Sequence, residues 1–474
     1  MLFNSYEFVL IFLPILLILY YAVNRIKKKN VTLVVLIVAS LFFYAFGNIK
    51  FIFVILGSVL INWIISVLIN RLPNDDKKMS RKLWLFIGIA VNILIILIFK
   101  YYNFFVVNVN NVFHATFDIR NIFLPLGISF YTFQQISYIV DTYRGETKDY
   151  SFLEYAAFVT FFPQLVAGPI VMHDELIPQF RDESRRRYNA DYFSEGLYYF
   201  SIGMFKKVWI ADTFSKAVNM GWSFLDSATA MELIIIMLSY TFQIYFDFSA
   251  YSDMAIGLAR MFNIELPINF NSPYKSLSIK EFWDRWHMTL TRFLTKYIYI
   301  PLGGSRKGKF RTYANIFIVF LISGFWHGAS WTFIFWGVCH GVAMILYRLF
   351  EKTWNKCNQV FQWLCTFAFV NVMWFVFRAD SIRQALSCIK RMLLFKEYSV
   401  RSELIDSFKI FDTVSSNSSM WIIIALALFI VLNCKNIHEN KENKTIFKAV
   451  AAAVLLFISI LNFEGVTEFI YFNF

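Results

Sequence analysis

Apolar runs of roughly the length of a membrane span recur from one end of this chain to the other. They lie near residues 8–24, 31–46, 51–70, 83–99, 122–140, 192–211, 231–250, 313–348, 361–377, 420–433 and 446–462. A helix needs about 20 residues to cross the hydrocarbon core, so several runs span and the shorter ones suit re-entrant helices. With 58% hydrophobic and only 16% charged residues, 474 residues carry more apolar side chain than a soluble domain can cover. The expected fold class is all-α: a polytopic membrane helical bundle of about 10–12 crossings plus re-entrant helices, forming one integral-membrane domain over residues 1–474.

The formal charge of +13 does not point to nucleic acid. The basic residues stand in short loops beside spans, where the positive-inside rule accounts for them. Glu7 opens the first run and Arg25, Lys27, Lys28 and Lys29 follow it, which predicts an uncleaved anchor with its N-terminus outside. Residues 71–82, 185–187 and 435–444 read as cytoplasmic, with His438 solvated in the last of these. His114 falls in an outside loop, and residues 463–474 form an aromatic tail outside. The five cysteines show no CxxC spacing, so neither a zinc site nor a disulfide framework is expected.

Two stretches combine apolar character with helix breakers and amides. Residues 124–145 contain Pro125, Gly127, Ser129, Thr132, Gln134 and Gln135, and residues 161–180 contain Pro163, Gln164, Gly168 and Pro169. Such backbone is tolerated at membrane depth where protein or a water-filled cavity satisfies it, so irregular helices lining a central cavity are expected, with Gln134 among the lining residues. Asp247 and Asp253 lie about 600° apart around a helix and do not form a pair. One of the two can still bind a partner inside the bundle, and Asp247 is taken as a lining residue.

Residues 280–341 hold His287, His327 and His340, half of the six histidines. An intramembrane ionisable group marks a functional site by default. No GxSxG elbow or HExxH pair occurs. GGSRKGKF at 303–310 fails as a phosphate loop because Phe310 stands where a Ser or Thr is required. The spacings Gly324 to Gly328 and Gly337 to Gly341 match GxxxG and predict close helix packing. What remains is a pair of Trp-His units, Trp286-His287 and Trp326-His327. Histidine accepts a proton from a hydroxyl near neutral pH and needs no nucleophile of its own if the acyl group arrives as a thioester. Either histidine could serve as such a base or simply pack in the bundle; Trp286 and Trp326 are taken as lining residues beside them, and His340 as structural. No metal and no bound cofactor are expected.

The blocks RWHMTLTRFLTKYIYIPLGG and SGFWHGASWTFIFWGVCHG, with LPLGISFYTFQQISYIVD and QIYFDFSAYSDMAIGLA before them, resemble the signature segments of the membrane-bound O-acyltransferase family, in its alginate O-acetyltransferase-like bacterial branch. The resemblance implies a bundle around a transmembrane tunnel, with the family's essential histidine at His327 and a second at His287. It also implies acetyl-CoA as the acyl-donor substrate, entering from the cytoplasm past Arg285, Arg292, Lys296, Arg306 and Lys307. Phe469, Tyr471 and Phe474 resemble a terminal motif in acyl-transfer proteins of this branch, which makes Tyr471 a possible acyl relay; the alternative is an interfacial aromatic anchor. The implied acceptor is an extracytoplasmic polysaccharide, reached through an SGNH-like or related outer-face partner. The alternatives are a D-alanyl transferase for teichoic acid fed by a carrier-protein thioester and, in another class, a transporter or flippase.

Overall fold

The computed structural model describes the chain outside residues 27, 73–78, 148, 410–415, 440–445, 464–466 and 474, and outside the side chains of 79, 416, 446, 447, 471 and 473. Lys27, parts of the basic loops 71–82 and 435–444, Phe474 and the Tyr471 side chain thus lie outside the described residues. Among the described residues the regular elements are all helical, as expected of a chain that must satisfy its backbone within lipid.

Seven helices among the described residues are long and apolar enough to cross a membrane, and Lys29–Ala45 and Lys448–Ile460 are shorter apolar helices. This is fewer than the apolar runs suggest, for physical reasons. The run at 313–348 keeps one of the seven, Trp331–Trp354, which Gly328 divides from Lys309–His327. In the run at 122–140 the helix Ile128–Arg144 starts only after Pro125 and a left-handed Gly127. The run at 192–211 turns π-helical at Lys206–Ala211, where two lysines interrupt it.

The chain forms two compact units, Met1–Phe200 with Asp253–Pro267, and Ser201–Ser252 with Ile268–Phe474. In the first unit, helices α1 (Lys50–Arg71), α2 (Met79–Ile96) and α3 (Ile128–Arg144) share a buried amide network. Ser58 donates to Gln135 Oε1 at 2.5 Å, Asn62 Nδ2 donates to the same oxygen at 2.8 Å, and Asn92 Nδ2 donates to Asn62 Oδ1 at 2.6 Å. Gln134, beside it, is buried in the same unit.

A second anchor of this unit is Glu154, in helix α4 (Phe152–Thr160). Its carboxylate is buried, completes the capping box with Ser151, and pairs with Arg181 at 2.6 Å and Lys29 at 2.9 Å. Burial pushes the carboxyl up, but the hydrogen bonds from Arg181, Ser151 and Lys29 outweigh it and hold it well below the ordinary carboxylate range. A depressed folded pKa contributes stability that is complete above the unfolded value, near 4.5, and is lost as pH falls toward the folded value. Glu154→Gln is therefore expected to cost about 1–3 kcal/mol at neutral pH, the two cations being partly solvated, and to flatten the acid limb of stability below pH ~4.5. Thermal unfolding in detergent across pH checks this; an acid limb as steep as the wild type's would refute it.

The second unit contains α5 (Ala230–Met261, to Ser252), α6 (Ile279–Arg285), α7 (Met288–Leu294), α8 (Lys309–His327), α9 (Trp331–Trp354) and α10 (Gln359–Arg378). Helices α8 and α9 pack through glycine. A Cβ on Gly324 would stand 2.5 Å from the Phe333 carbonyl oxygen, and one on Gly337 would stand 2.5 Å from that of Phe320. The first glycine of each GxxxG spacing thus makes one crossing in which backbone touches backbone, while Gly328 stands just past the end of α8.

Candidate active site

Three short-range features fix His327. It is the last residue of α8, the chain turns through Gly328, and Ser330 restarts a helix by accepting from the Thr332 N–H. Gly328 sits against the Phe333 ring, which a Cβ there would penetrate at 2.1 Å, so a side chain at 328 would push that ring off its site. The His327 imidazole is buried with Trp326, Trp336 and Phe377 around it, ring centroids at 4.9, 5.2 and 5.3 Å.

His287 arrives from the other signature block with a left-handed backbone, φ 46°, at the start of α7. Its Nδ1 lies 3.1 Å from Asn269 Oδ1. That oxygen also accepts from the Thr289 N–H and hydroxyl, while Asn269 Nδ2 donates to Ser252. The amide orientation is therefore fixed by its neighbours, and Nδ1 must be the donor. In the neutral ring the lone pair then belongs to Nε2, the form a base requires. Trp326 lies beside both histidines, 6.2 Å from His287 and 4.9 Å from His327. The two Trp-His units of the sequence thus share one indole.

His340 belongs to the same aromatic box. Trp283 Nε1 donates to its Nδ1 at 3.2 Å, and it packs on Trp336 at 4.6 Å. Trp286 is buried between Trp374, Phe270 and Phe282. Of the basic residues, Arg285 is tied to Glu281 at 3.0 Å and to the Asn271 carbonyl. Lys296 lies over the Tyr297 ring, and Arg306 and Lys307 are exposed. Arg292 is half-buried on α7.

Two cavities abut the box. A polar one of about 550 Å³ has Phe333 and Phe377 in its wall, with Gln243, Ser330, Arg378, Asp380 and Thr467. The other, about 200 Å³ and apolar, has Trp283, Lys280 and Arg348 among its lining residues.

Asp247 meets a partner that the sequence reading missed, the buried ammonium of Lys207 at 2.7 Å. A lysine inside the apolar run 192–211 was the available signal. His173, also missed, bonds through Nε2 to Asp141 at 3.1 Å and through Nδ1 to Tyr150 at 3.2 Å in the first unit. Glu146 is near enough to both for the three to be close-set, but Asp141 is also held by Arg144.

Residues 118–380 match the profile described as MBOAT, membrane-bound O-acyltransferase family. The chain is similar to a peptidoglycan O-acetyltransferase of Helicobacter pylori, 39% identical, covering 100% of this chain and 98% of that one. It is also similar to a probable alginate O-acetylase of Pseudomonas putida, 40% identical over 85% of this chain and 82% of the relative. A teichoic acid D-alanyltransferase of Bacillus subtilis is 30% identical, with 52% and 63% covered.

Proposed function

Because this chain belongs to the membrane-bound O-acyltransferase family, we propose that it takes acetyl from acetyl-CoA on the cytoplasmic side of a bacterial cytoplasmic membrane and delivers it, through the membrane, for O-acetylation of an extracytoplasmic cell-wall or exopolysaccharide. The observation that carries the reading is the shared Trp326 indole with His327 and a tautomer-fixed His287 beside it. His327 is the general base. It removes the proton of an attacking hydroxyl as that oxygen bonds to the thioester carbonyl carbon; the carbon–sulfur bond then breaks, and the departing thiolate takes the proton. His287 assists by presenting Nε2.

The polar cavity against Phe333 and Phe377 suits the hydroxyl side of the reaction, and the cavity with Trp283, Lys280 and Arg348 in its lining suits a donor carrying phosphates. Both termini are outside in this reading. The first acceptor is the Tyr471 phenol, whose aryl ester remains activated for passage to an SGNH-like or related outer-face transferase. Acetyl is preferred to D-alanyl because likeness to the peptidoglycan O-acetyltransferase runs the whole length of both chains, whereas likeness to the teichoic acid enzyme covers 52% of this one. Membership of an O-acyltransferase family excludes the transporter reading.

The test follows acetyl-labelled acetyl-CoA with purified wild type and Tyr471→Phe. Thioester loss with label retained on the wild type alone is the expected result. Turnover with no retained label would remove the relay and keep the enzyme. Turnover of a D-alanyl carrier thioester in place of acetyl-CoA would replace the donor.

A further inference from the structure

Lys207, Asp212 and Asp247 make a buried charge cluster that the proposed mechanism does not use. The ammonium lies 2.9 Å from Asp212 and 2.7 Å from Asp247, with side chains 0% and 4% exposed. Burying such a cluster is costly, and apolar side chains of similar volume often fill such a space with no loss of stability. Beyond the ion pairs, the hydrogen bonds of Lys207, Asp212 Oδ1 and Asp247 Oδ2 turn to one place, the segment that starts at Thr467. Lys207 donates to the Thr467 hydroxyl at 3.1 Å and to the Glu468 carbonyl at 3.2 Å. Thr467 donates to Asp212 Oδ1 at 2.5 Å, and the Ile470 N–H donates to Asp247 Oδ2 at 2.8 Å. The Phe469 ring lies 4.6 Å from the ammonium and meets Tyr251 edge-on at 4.8 Å.

The same segment forms part of the site. Thr467, Glu468 and Ile470 line the polar cavity together with Phe333 and Phe377, and Phe377 touches the His327 ring. We propose that Lys207, Asp212 and Asp247 are positioning residues, a charged seat that holds residues 467–470 as one wall of the acceptor cavity and so aims the chain beyond Ile470 toward His327. The inference rests on the acyl-transfer reading for its consequence, though not for the seat itself.

Two variants test it from opposite sides, Asp247→Asn on the seat and Thr467→Val on the segment, each measured by amide hydrogen exchange with mass spectrometry and by steady-state transfer of labelled acetyl from acetyl-CoA. Each is expected to speed exchange in residues 467–473 by about tenfold or more, as loss of a buried hydrogen bond should, with exchange in α8 and α9 unchanged. Each is also expected to lower kcat per folded enzyme at least tenfold with KM for acetyl-CoA moved less than twofold, as loss of an interaction made on the acceptor side should; the unchanged exchange in α8 and α9 separates this from general destabilisation. The double variant should transfer no worse than the poorer single one. Unchanged exchange would overturn the seat. Faster exchange with wild-type kcat would reduce the cluster to a packing element. Retained turnover in His327→Ala, measured alongside, would sink the base assignment while leaving the exchange result standing, so the two failures are distinguishable.

Discussion

Replacing His327 with alanine should lower acyl transfer by about 10²–10⁴-fold, the usual contribution of a positioned general base, while the protein still inserts and folds. The imidazole is packed by Trp326, Trp336 and Phe377 and sits at a helix end, so truncation leaves a small hole among rings without breaking the helical ladder. The stability cost is therefore of the order of a few kcal/mol at most. His327→Gln keeps most of that volume and should restore stability without restoring rate. If the two histidines act on the same proton transfer across Trp326, the double variant His287→Ala/His327→Ala should be little slower than His327→Ala alone. Rates of labelled acetyl transfer for the three variants, with melting temperatures in the same detergent, check both points. A His327→Gln enzyme working within tenfold of wild type would remove His327 from the chemistry.

Gly337→Leu is expected to have the largest effect on the fold. The Cβ it adds would stand 2.5 Å from the Phe320 carbonyl oxygen and 3.1 Å from the Gly324 Cα. Overpacking a core costs about 1–3 kcal/mol when side chains can move aside. Here the atoms met are backbone, so helices α8 and α9 must separate, at a cost of about 3 kcal/mol or more. Because α8 ends at His327, the separation also displaces the imidazole. Gly337→Ala should thus already impair transfer, and Gly337→Leu should lose folded protein as well. Folded yield after detergent extraction, melting temperature and kcat decide it; a leucine variant with wild-type yield and melting temperature would refute the crossing.

What the sequence revealed and what it withheld divide along lines of range. Apolar runs, the GxxxG spacings and the exposed His114 depend on neighbours within a few residues, and they were legible. Arg285 was legible as basic but not as already neutralised, although Glu281 stands one helical turn before it. The proximity of the two Trp-His units was not readable, because it comes from the packing of two separate helical blocks against one indole. Asn269, which fixes the His287 tautomer, lies in a loop 18 residues upstream with no pattern to mark it. Lys207 meets Asp247 from 40 residues away and Thr467 from 260, so a charge that reads locally as the end of a span proves to be the middle of a cluster. Resemblance named the family, but it did not draw these contacts.

The amide network of the first unit has a consequence for how the protein is assembled. Ser58 and Asn62 of α1, Asn92 of α2 and Gln135 of α3 are each costly to leave bare in an apolar interior, so each helix carries polar groups that its neighbours must meet. Rotating or sliding any one helix by a residue would part donors from acceptors. Only one mutual register therefore satisfies them, and the network acts as a key by which the three helices recognise one another.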